Sequence, residues 1–362
     1  MMKRLKSLDQ DLRKHFIGVV VFILVAVILQ FVGLDSYINR ILNLGLVYVV
    51  VGLSMNLVNG FTGMFSLGQA GFMAIGAYAM AVLTMSADLK EKYYLIEPVF
   101  PILKQIQLPY LPALLIAGLI TAFIGFLIAL PVLRLTDDYL AIATLGFAEI
   151  ILVFIRTQFR ITNGALGLKG IPQHENLLLT AALTLVVILF MIFLTRSSYG
   201  KALVAIRDDE IAAQAIGINI FRHKVVSFSI SSFLAGIGGG MLAALVGTIS
   251  PVQFQFVLTF NVLLIVVLGG MGRIWGNVIA AIVVTGMLEY LRILDEPINF
   301  LFIKTDDGLP GLRMVVFSIL LMVIVIFRRP DRRFLEPARE KVAQSIKSLL
   351  TKKNGGTPNA SN

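Results

Sequence analysis

Residues 177–195 read LLLTAALTLVVILFMIFLT, a run of nineteen residues without one charged side chain. About 20 predominantly apolar residues are needed for an α-helix to cross the hydrocarbon core of a bilayer. Arg196 ends the run, and Lys201, Arg207 and Arg222 follow before the next long apolar stretch. This part of the sequence therefore predicts a membrane-spanning helix that leads into a water-exposed loop.

The composition of the whole chain supports a membrane protein. Of the 362 residues, 57% are hydrophobic and only 14% are charged, and the mean hydropathy is +0.88. These values exclude an ordinary soluble domain. We expect an all-α polytopic integral membrane protein with about ten spans, eight and nine being the alternatives. Besides 177–195, the predicted spans are 16–34, 40–58, 64–84, 111–133, 139–156, 224–248, 256–270, 274–291 and 311–327.

Basic residues set the expected orientation of these spans. Lysine and arginine accumulate in segment 1–15, in the loop 196–223 and in segment 329–362. Such an excess marks the cytoplasmic side, so both termini and the loop are predicted to be cytoplasmic. The transmembrane domain then covers 16–328, and the C-terminal tail is expected to be largely disordered. Because the net charge of +10 is divided among separate segments, nucleic acid is not an expected partner.

The first apolar run, 16–34, follows a basic segment, as the apolar region of a signal peptide does. It is longer than such a region, and no small-residue cleavage pattern follows it. An uncleaved span is therefore expected.

Two of the predicted spans are interrupted by glycines. Segments 59–84 and 256–291 each read either as a re-entrant or discontinuous helix or as two helices joined by a turn. Broken helices at membrane depth require protein or water around the freed backbone groups, and in transporters they often lie near the substrate path. For 269–277 an ordinary tight turn is the favoured interpretation.

The loop contains a short charged segment, RDDEIAAQAIG at 207–217. Asp208 or Asp209 is suited to cap a helix that begins near Glu210, and Gly217 is suited to a left-handed stop. The apolar residues Ile211, Ala212, Ala215 and Ile216 would then share one face. A helix lying on the lipid surface is the alternative, but such helices usually carry lysine and arginine, not three carboxylates, on the polar face.

Signals for catalysis are weak in this sequence. The three histidines, His15, His174 and His223, fall outside the spans and show no metal-ligand spacing. Gly200-Lys201 lacks the upstream glycine of a phosphate-binding loop and is followed by alanine, and the chain has no cysteine. The chain is therefore expected to be neither an enzyme nor a cofactor carrier, and any dependence on ATP must come from a partner.

Polar residues within the spans are candidates for a translocation pathway. Glu149 is the one ionisable residue well inside a predicted span, where a charge costs roughly 2.5–3.5 kcal/mol. Thr144 lies in the same span, and Ser66 and Gln69 lie in the small-residue segment at the start of another. For Glu149, a hydrogen bond that only fixes helix packing is an equally weighted alternative, and small-residue segments such as that of Ser66 and Gln69 usually serve packing. The glycines of 235–240 are predicted to serve packing.

Several motifs occur together in the order of one known family. From about 42 to 333 the chain resembles the inner-membrane permease subunits of bacterial ABC importers for branched-chain amino acids, of the LivM-like type. The motifs are GMFSLGQAGF at 63–72, YLAIATLG at 139–146, NG at 163–164 with GIP at 170–172, GKA at 200–202 leading into 207–219, and VLGGMG at 267–272.

The resemblance implies a multi-pass protein of the bacterial inner membrane that works by alternating access. The implied partners are membrane lipid, a second, LivH-like permease subunit, two ATPase subunits that bind ATP and magnesium, and a solute-binding protein. It also implies that the cytoplasmic segment is an ATPase-coupling loop, with Glu210 and Ala213 at the ATPase contact. The residues assigned to this loop are Arg207, Asp208, Asp209, Glu210, Ala212, Ala213 and Gly217.

The expected substrate is a branched-chain amino acid. Urea, short amides and nucleosides are the alternatives within the same superfamily. A secondary transporter driven by an ion gradient is the alternative from another class, for which Glu149 alone gives little support.

Overall fold

A computed structural model describes residues 2–31, 35–94, 96–135, 137–291, 299–300 and 303–304. The chain divides into two compact units, Met1–Tyr290 and Leu291–Asn362. The described part of the second unit is an antiparallel pair of short strands, Asn299–Phe300 and Ile303–Lys304. The predicted span 311–327 and the tail 329–362 lie outside the described residues.

The first unit is built almost entirely of helices. Two short strands in it, β1 (Leu168–Lys169) and β2 (Thr248–Ile249), pair antiparallel. The helices are α1 Met2–Phe31, α2 Ser36–Met55, α3 Gln69–Thr84, α4 Ala87–Tyr93, α5 Pro101–Gln105, α6 Tyr110–Val132, α7 Asp137–Thr157, α8 Phe159–Thr162, α9 Leu177–Arg196, α10 Ser198–Asp208, α11 Glu210–Ala215, α12 Ile220–Val246, α13 Phe256–Gly269 and α14 Ile274–Tyr290.

Each apolar run predicted between 16 and 291 is a helix for most of its length. Within the described residues, five helical segments have both the length and the hydropathy of a membrane span: α2 with the turn that follows it, α6, α7, α9 and α12. The apolar part of α1, together with α13 and α14, forms shorter apolar helices. The all-α polytopic prediction is therefore confirmed at this coarse level.

Helix α12 lies at the centre of the unit and packs against α2, α3 and α6. Small residues make this close approach possible. A Cβ atom on Gly76 of α3 would overlap with the backbone of Gly236, and one on Gly239 would overlap with the carbonyl oxygen of Met73. The glycines of 235–240 therefore serve packing, as their spacing predicted.

Helices α1 and α9 lie at the periphery of the unit. A small apolar cluster of Leu46, Leu177 and Ala181 is covered by Phe22 and Leu29 of α1. On another part of α1, the indole of Trp275 packs on Gly18 and donates a hydrogen bond to Nδ1 of His15 at 3.0 Å. From Phe16 onward, the outer surface of α1 is apolar and exposed, as expected for a helix that faces lipid.

The two glycine-interrupted segments differ from straight helices in different ways. Helix α3 begins at Gln69 and not at residue 64, because residues 62–68 are not helical. At its other end, the chain bends by 119° into α4. In the second segment, residues 270–273 form a tight turn between α13 and α14, with positive φ angles at Gly270 and Gly272.

A buried lysine fixes the segment that follows α3. The side chain of Lys90 on α4 is fully buried, and its Nζ donates hydrogen bonds to the carbonyl oxygens of Leu103, at 2.7 Å, and Ile106, at 2.6 Å. Burial lowers the pKa of the Lys90 ammonium from its usual value. The two carbonyls at the end of α5 thus obtain a donor that the short helix cannot supply.

We predict opposite effects for alanine at two helical glycines. Gly76→Ala places a methyl group against the backbone of α12, which should lower the free energy of unfolding by about 1–3 kcal/mol. Gly146→Ala is the matched control, because a Cβ there meets nothing within 4 Å, and the added helix propensity should leave stability equal or higher. Thermal unfolding of the purified proteins in detergent measures both changes. Equal melting temperatures for the two variants would contradict the close approach of α3 and α12.

Candidate functional site

The charged segment 207–217 forms a capped six-residue helix, α11. The side-chain Oδ1 of Asp209 accepts hydrogen bonds from the backbone N–H groups of Ile211, at 2.9 Å, and Ala212, at 3.0 Å. Gly217 follows the helix with a φ of +85°, a conformation that glycine adopts without steric cost. Of the two aspartates that the sequence offered as caps, Asp209 has this role and Asp208 pairs with Arg207.

The outward surface of α11 presents two large apolar side chains beside the polar Glu210 and Gln214. Ile211 is 82% exposed and Ile216 is 76% exposed, and the alanines 212 and 215 are exposed beside them. Ala213 points the other way and is only 2% exposed, so its side chain is not available to an outside partner. The four residues that the sequence predicted to share an apolar face are all exposed, and the isoleucines are the largest of them.

Glu210 ties α11 to the start of α12. Its carboxylate accepts a hydrogen bond from Nζ of Lys224, whose side chain is mostly buried. This pair borders a groove of about 400 Å³ that is closed on another side by Leu133, Leu135 and Phe221. The partly exposed Glu210 therefore holds the short helix in place beside the groove.

Three of the four candidate pathway residues lie close together around the non-helical segment 62–68. The hydroxyl of Thr144 on α7 accepts a hydrogen bond from the backbone N–H of Leu67 at 3.0 Å. Ser66 lies in the segment itself, and Gln69 begins α3. All three candidates are nearly fully buried: Ser66 is 5%, Gln69 4% and Thr144 1% exposed.

Gln69 belongs to a buried polar cluster that joins three helices. Its side-chain amide donates a hydrogen bond to the hydroxyl of Ser54 on α2. Ser54 and Ser231 of α12 in turn exchange hydrogen bonds, each hydroxyl donating to the other's carbonyl oxygen, at 2.6 and 2.8 Å. Ser54 and Ser231 were not among the predicted site residues, because single serines in apolar helices are common and carry no spacing signal.

Glu149 is not part of this cluster. It lies on the exposed side of α7, whereas Thr144 of the same helix is buried. Five residues of α-helix separate the two side chains by about 140° around the axis. The structure thus brings Ser66, Gln69 and Thr144 together and places Glu149 on an outer surface of the chain.

Among the residues that the structure describes, no three histidine or acidic side chains come together as a possible metal site.

Comparison with known proteins identifies the family. The family described as "Branched-chain amino acid transport system / permease component" matches residues 37–325. The chain belongs to this family. The permease is 34% identical to the high-affinity branched-chain amino acid transport system permease protein LivM of Escherichia coli, over 81% of the chain and 72% of that protein. It is 23% identical to a probable LivM of Methanocaldococcus jannaschii, over 83% and 95% of the two chains.

More distant relatives of the permease carry other names. It is 28% identical to the fructose import permease protein FrcC of Rhizobium meliloti, over 40% of the chain and 39% of that protein. No solved structure matches the permease significantly. Like its homologues, the permease is a multi-pass protein of the inner membrane, which agrees with its membrane-length apolar helices.

We predict that the cap of α11 depends on the side chain of Asp209. Asp209→Ala removes the acceptor of two backbone N–H groups and should cost about 1 kcal/mol of local stability, or about fivefold faster amide exchange at Ile211 and Ala212. Asp209→Asn keeps the oxygen and is the control. Hydrogen–deuterium exchange measures the effect, and equal exchange in the alanine variant and the parent protein would contradict the cap.

Proposed function

We propose that this protein is a transmembrane subunit of an ABC importer that carries branched-chain amino acids across the inner membrane. The observation that carries this proposal is the family match over residues 37–325, together with the similarity over most of their length to LivM proteins that are named as branched-chain amino acid permeases. The subunit acts as a permease without enzymatic chemistry of its own. A separate ATPase binds ATP and magnesium and supplies the energy.

The exposed face of α11 is the proposed contact with an ATPase subunit. Burial of an isoleucine side chain contributes about 1.5–3 kcal/mol, so Ile211 and Ile216 together offer several kcal/mol to a partner with an apolar groove. The carboxylates at the start of the helix disfavour the alternative, insertion into an anionic lipid surface. The basic residues of segment 196–223 support a cytoplasmic location for α11, the compartment in which ATP is available.

The exposed face of α7 is the proposed contact with a second permease subunit. Glu149 lies near the middle of this helix, between the exposed apolar residues Ile142 and Val153. An ionised carboxylate that faces lipid at this depth is costly, whereas one that faces a protein partner or a water-filled path is not. A second, LivH-like subunit on this face would place Glu149 beside the pathway between the two permeases.

The buried cluster around segment 62–68 is proposed as part of the pathway on the chain's own side. Ser66, Gln69 and Thr144 offer hydroxyl and amide groups to a zwitterionic substrate when the segment moves. In the described conformation these groups are occupied by bonds within the protein. The pathway would therefore be closed at this point.

Branched-chain amino acids are favoured over the alternative substrates. The sugar permeases among the relatives match about two fifths of the chain, against four fifths for LivM. Urea, short amides and nucleosides remain the alternatives, and a solute-binding protein is expected to contribute to the selection.

Reconstitution tests the function directly. The chain would be purified with its partner permease, ATPase subunits and binding protein, and placed in proteoliposomes. Addition of leucine, isoleucine or valine should stimulate ATP hydrolysis and uptake, whereas urea should not. Substrate exchange by the isolated chain without ATP would contradict the importer and favour an ion-coupled carrier.

We predict that a charge on the outer face of α11 weakens ATPase binding. Ile216→Asp should reduce co-purification of the ATPase by about tenfold or more, because an apolar contact is replaced by a buried charge. Ile102→Asp on α5 is the matched control, since Ile102 is 77% exposed and Ile216 is 76% exposed. Equal ATPase recovery from the two variants would contradict docking through α11.

A further inference from the structure

Three functional segments meet at one irregular turn of the chain. Residues Asn56–Phe61 continue α2 as a π-turn, in which the helix is wider than an α-helix. Single π-turns inside helices are rare and occur frequently at functional sites. The side chains and carbonyls of this turn contact three other parts of the chain. These are the coupling segment 207–217, the candidate pathway segment 62–68 and the turn 270–273 between α13 and α14.

Arg207 connects the turn to the coupling segment. Its Nη1 donates a hydrogen bond to the carbonyl oxygen of Gly60 at 3.1 Å, while Nε and Nη2 donate to Asp208 at 3.0 and 2.8 Å. A positive guanidinium at the end of a helix is favourable, because the last carbonyls of the helix lack partners. Arg207 therefore binds the end of α2 from α10, two residues before the cap of α11.

Glycines make the space in which Arg207 lies. A Cβ atom on Gly63 would lie 2.7 Å from Cγ of Arg207, and one on Gly272 would lie 3.0 Å from its Nη1. Both glycines also have positive φ angles, of 77° and 75°. The arginine thus fits closely between the start of segment 62–68 and the turn at 270–273.

Asn59 connects the same turn to the candidate pathway segment. Its side-chain amide donates to the carbonyl oxygen of Ser66 at 3.3 Å and accepts from the backbone N–H of Ser66 at 3.2 Å. The asparagine side chain is only 6% exposed. Because breaking such a pair leaves buried polar groups without partners, segment 62–68 is expected to follow any displacement of the turn.

Asn56 makes an equivalent connection to the glycine-rich turn. Its Oδ1 accepts a hydrogen bond from the backbone N–H of Gly272 at 2.8 Å, and its Nδ2 donates to the carbonyl oxygen of Arg273 at 3.2 Å. The π-turn is thereby joined to α13 and α14 as well as to α3. One turn of six residues thus contacts the segments that precede or join all three helices.

We propose that the π-turn 56–61 relays movement of the coupling segment to the pathway segment, with Arg207 and Asn59 as the positioning residues. Arg207 transmits the displacement of α10 and α11 to Gly60, and Asn59 passes it to Ser66. This role rests on the proposed function, since it needs an ATPase that moves α11. It assigns to Arg207 a contact inside the permease in place of a contact with the ATPase.

The experiment uses a cysteine reporter in the complete transporter. The chain has no native cysteine, and Phe65 is a 43% exposed residue of segment 62–68, so Phe65→Cys gives a single reactive thiol there. In the parent complex, the rate of labelling by a hydrophilic thiol reagent should change on the order of tenfold between the nucleotide-free and ATP-bound states. With Arg207→Ala or Asn59→Ala added, this difference should disappear and uptake should fall, while ATPase subunits still co-purify and hydrolyse ATP.

Two further variants distinguish loss of the relay from a nonspecific loss of structure. Arg222→Ala removes another exposed arginine near the same segment and should leave the nucleotide-dependent labelling intact. Arg207→Lys keeps the charge and one donor and should restore part of the labelling difference. Because the Arg207 side chain is partly exposed, its variants are expected to fold, so they test the relay even where Asn59→Ala fails to fold.

The possible failures are distinguishable. If the parent complex neither hydrolyses ATP nor takes up amino acids, the proposed function is wrong. If the parent complex transports and both alanine variants keep the full nucleotide-dependent change, the relay is wrong and the function stands. Loss of ATPase co-purification in Arg207→Ala would also overturn the relay, because it would make Arg207 a docking residue.

Discussion

Between Phe61 and Gln69 the chain is not helical, although it remains largely buried in the protein. The buried backbone N–H and C=O groups of this stretch therefore need hydrogen-bond partners that a helix would otherwise supply. Side chains from other elements supply them. Asn59 pairs with both backbone groups of Ser66, and Thr144 accepts from Leu67. The positions of α2, α3 and α7 are therefore coupled to one another through a stretch of seven residues.

Close packing around α12 makes this arrangement possible. Gly238 of α12 allows the helix to approach Val51 of α2, and Ser231 on α12 shares hydrogen bonds with Ser54 of α2, which in turn binds Gln69. Interiors packed at this density transmit small displacements instead of absorbing them. The same packing places the end of α2 beside α10, where Gly60 binds Arg207.

The helices were predictable from sequence, whereas the contacts between them were not. Runs of apolar residues determine where a helix forms in a membrane, so the limits of 177–195 and 111–133 agree with α9 and α6 within about one residue. The predicted start of α3, residue 64, was wrong by five residues. Segment 62–68 continues the apolar pattern of the span, but a hydrogen bond to Thr144, far away in sequence, stabilises it in a non-helical conformation. Local pattern carries no information about that partner.

The candidate site shows the same limit at the level of single residues. The cap and stop of α11 were predictable because Asp209 and Gly217 act on their own neighbours in sequence. The side of α11 that faces inward depends on where α12 runs, and for this reason the burial of Ala213 was not foreseen. Likewise, the spacing of Thr144 and Glu149 places them on different sides of α7, but which of the two sides is buried depends on the face that packs on α3.

A stable isolated loop would be expected to bury its large apolar side chains, whereas the two isoleucines on α11 are exposed. A helix of six residues is too short to persist on its own in water, and here it is held by the Asp209 cap and by the pair between Glu210 and Lys224. These bonds use the polar side chains and leave Ile211 and Ile216 without cover. A preformed helix loses little conformational entropy on binding, so the free energy gained from burying the two isoleucines remains available for docking. The polar residues of the segment thus serve its fold, and its apolar residues are left free for the ATPase contact proposed above.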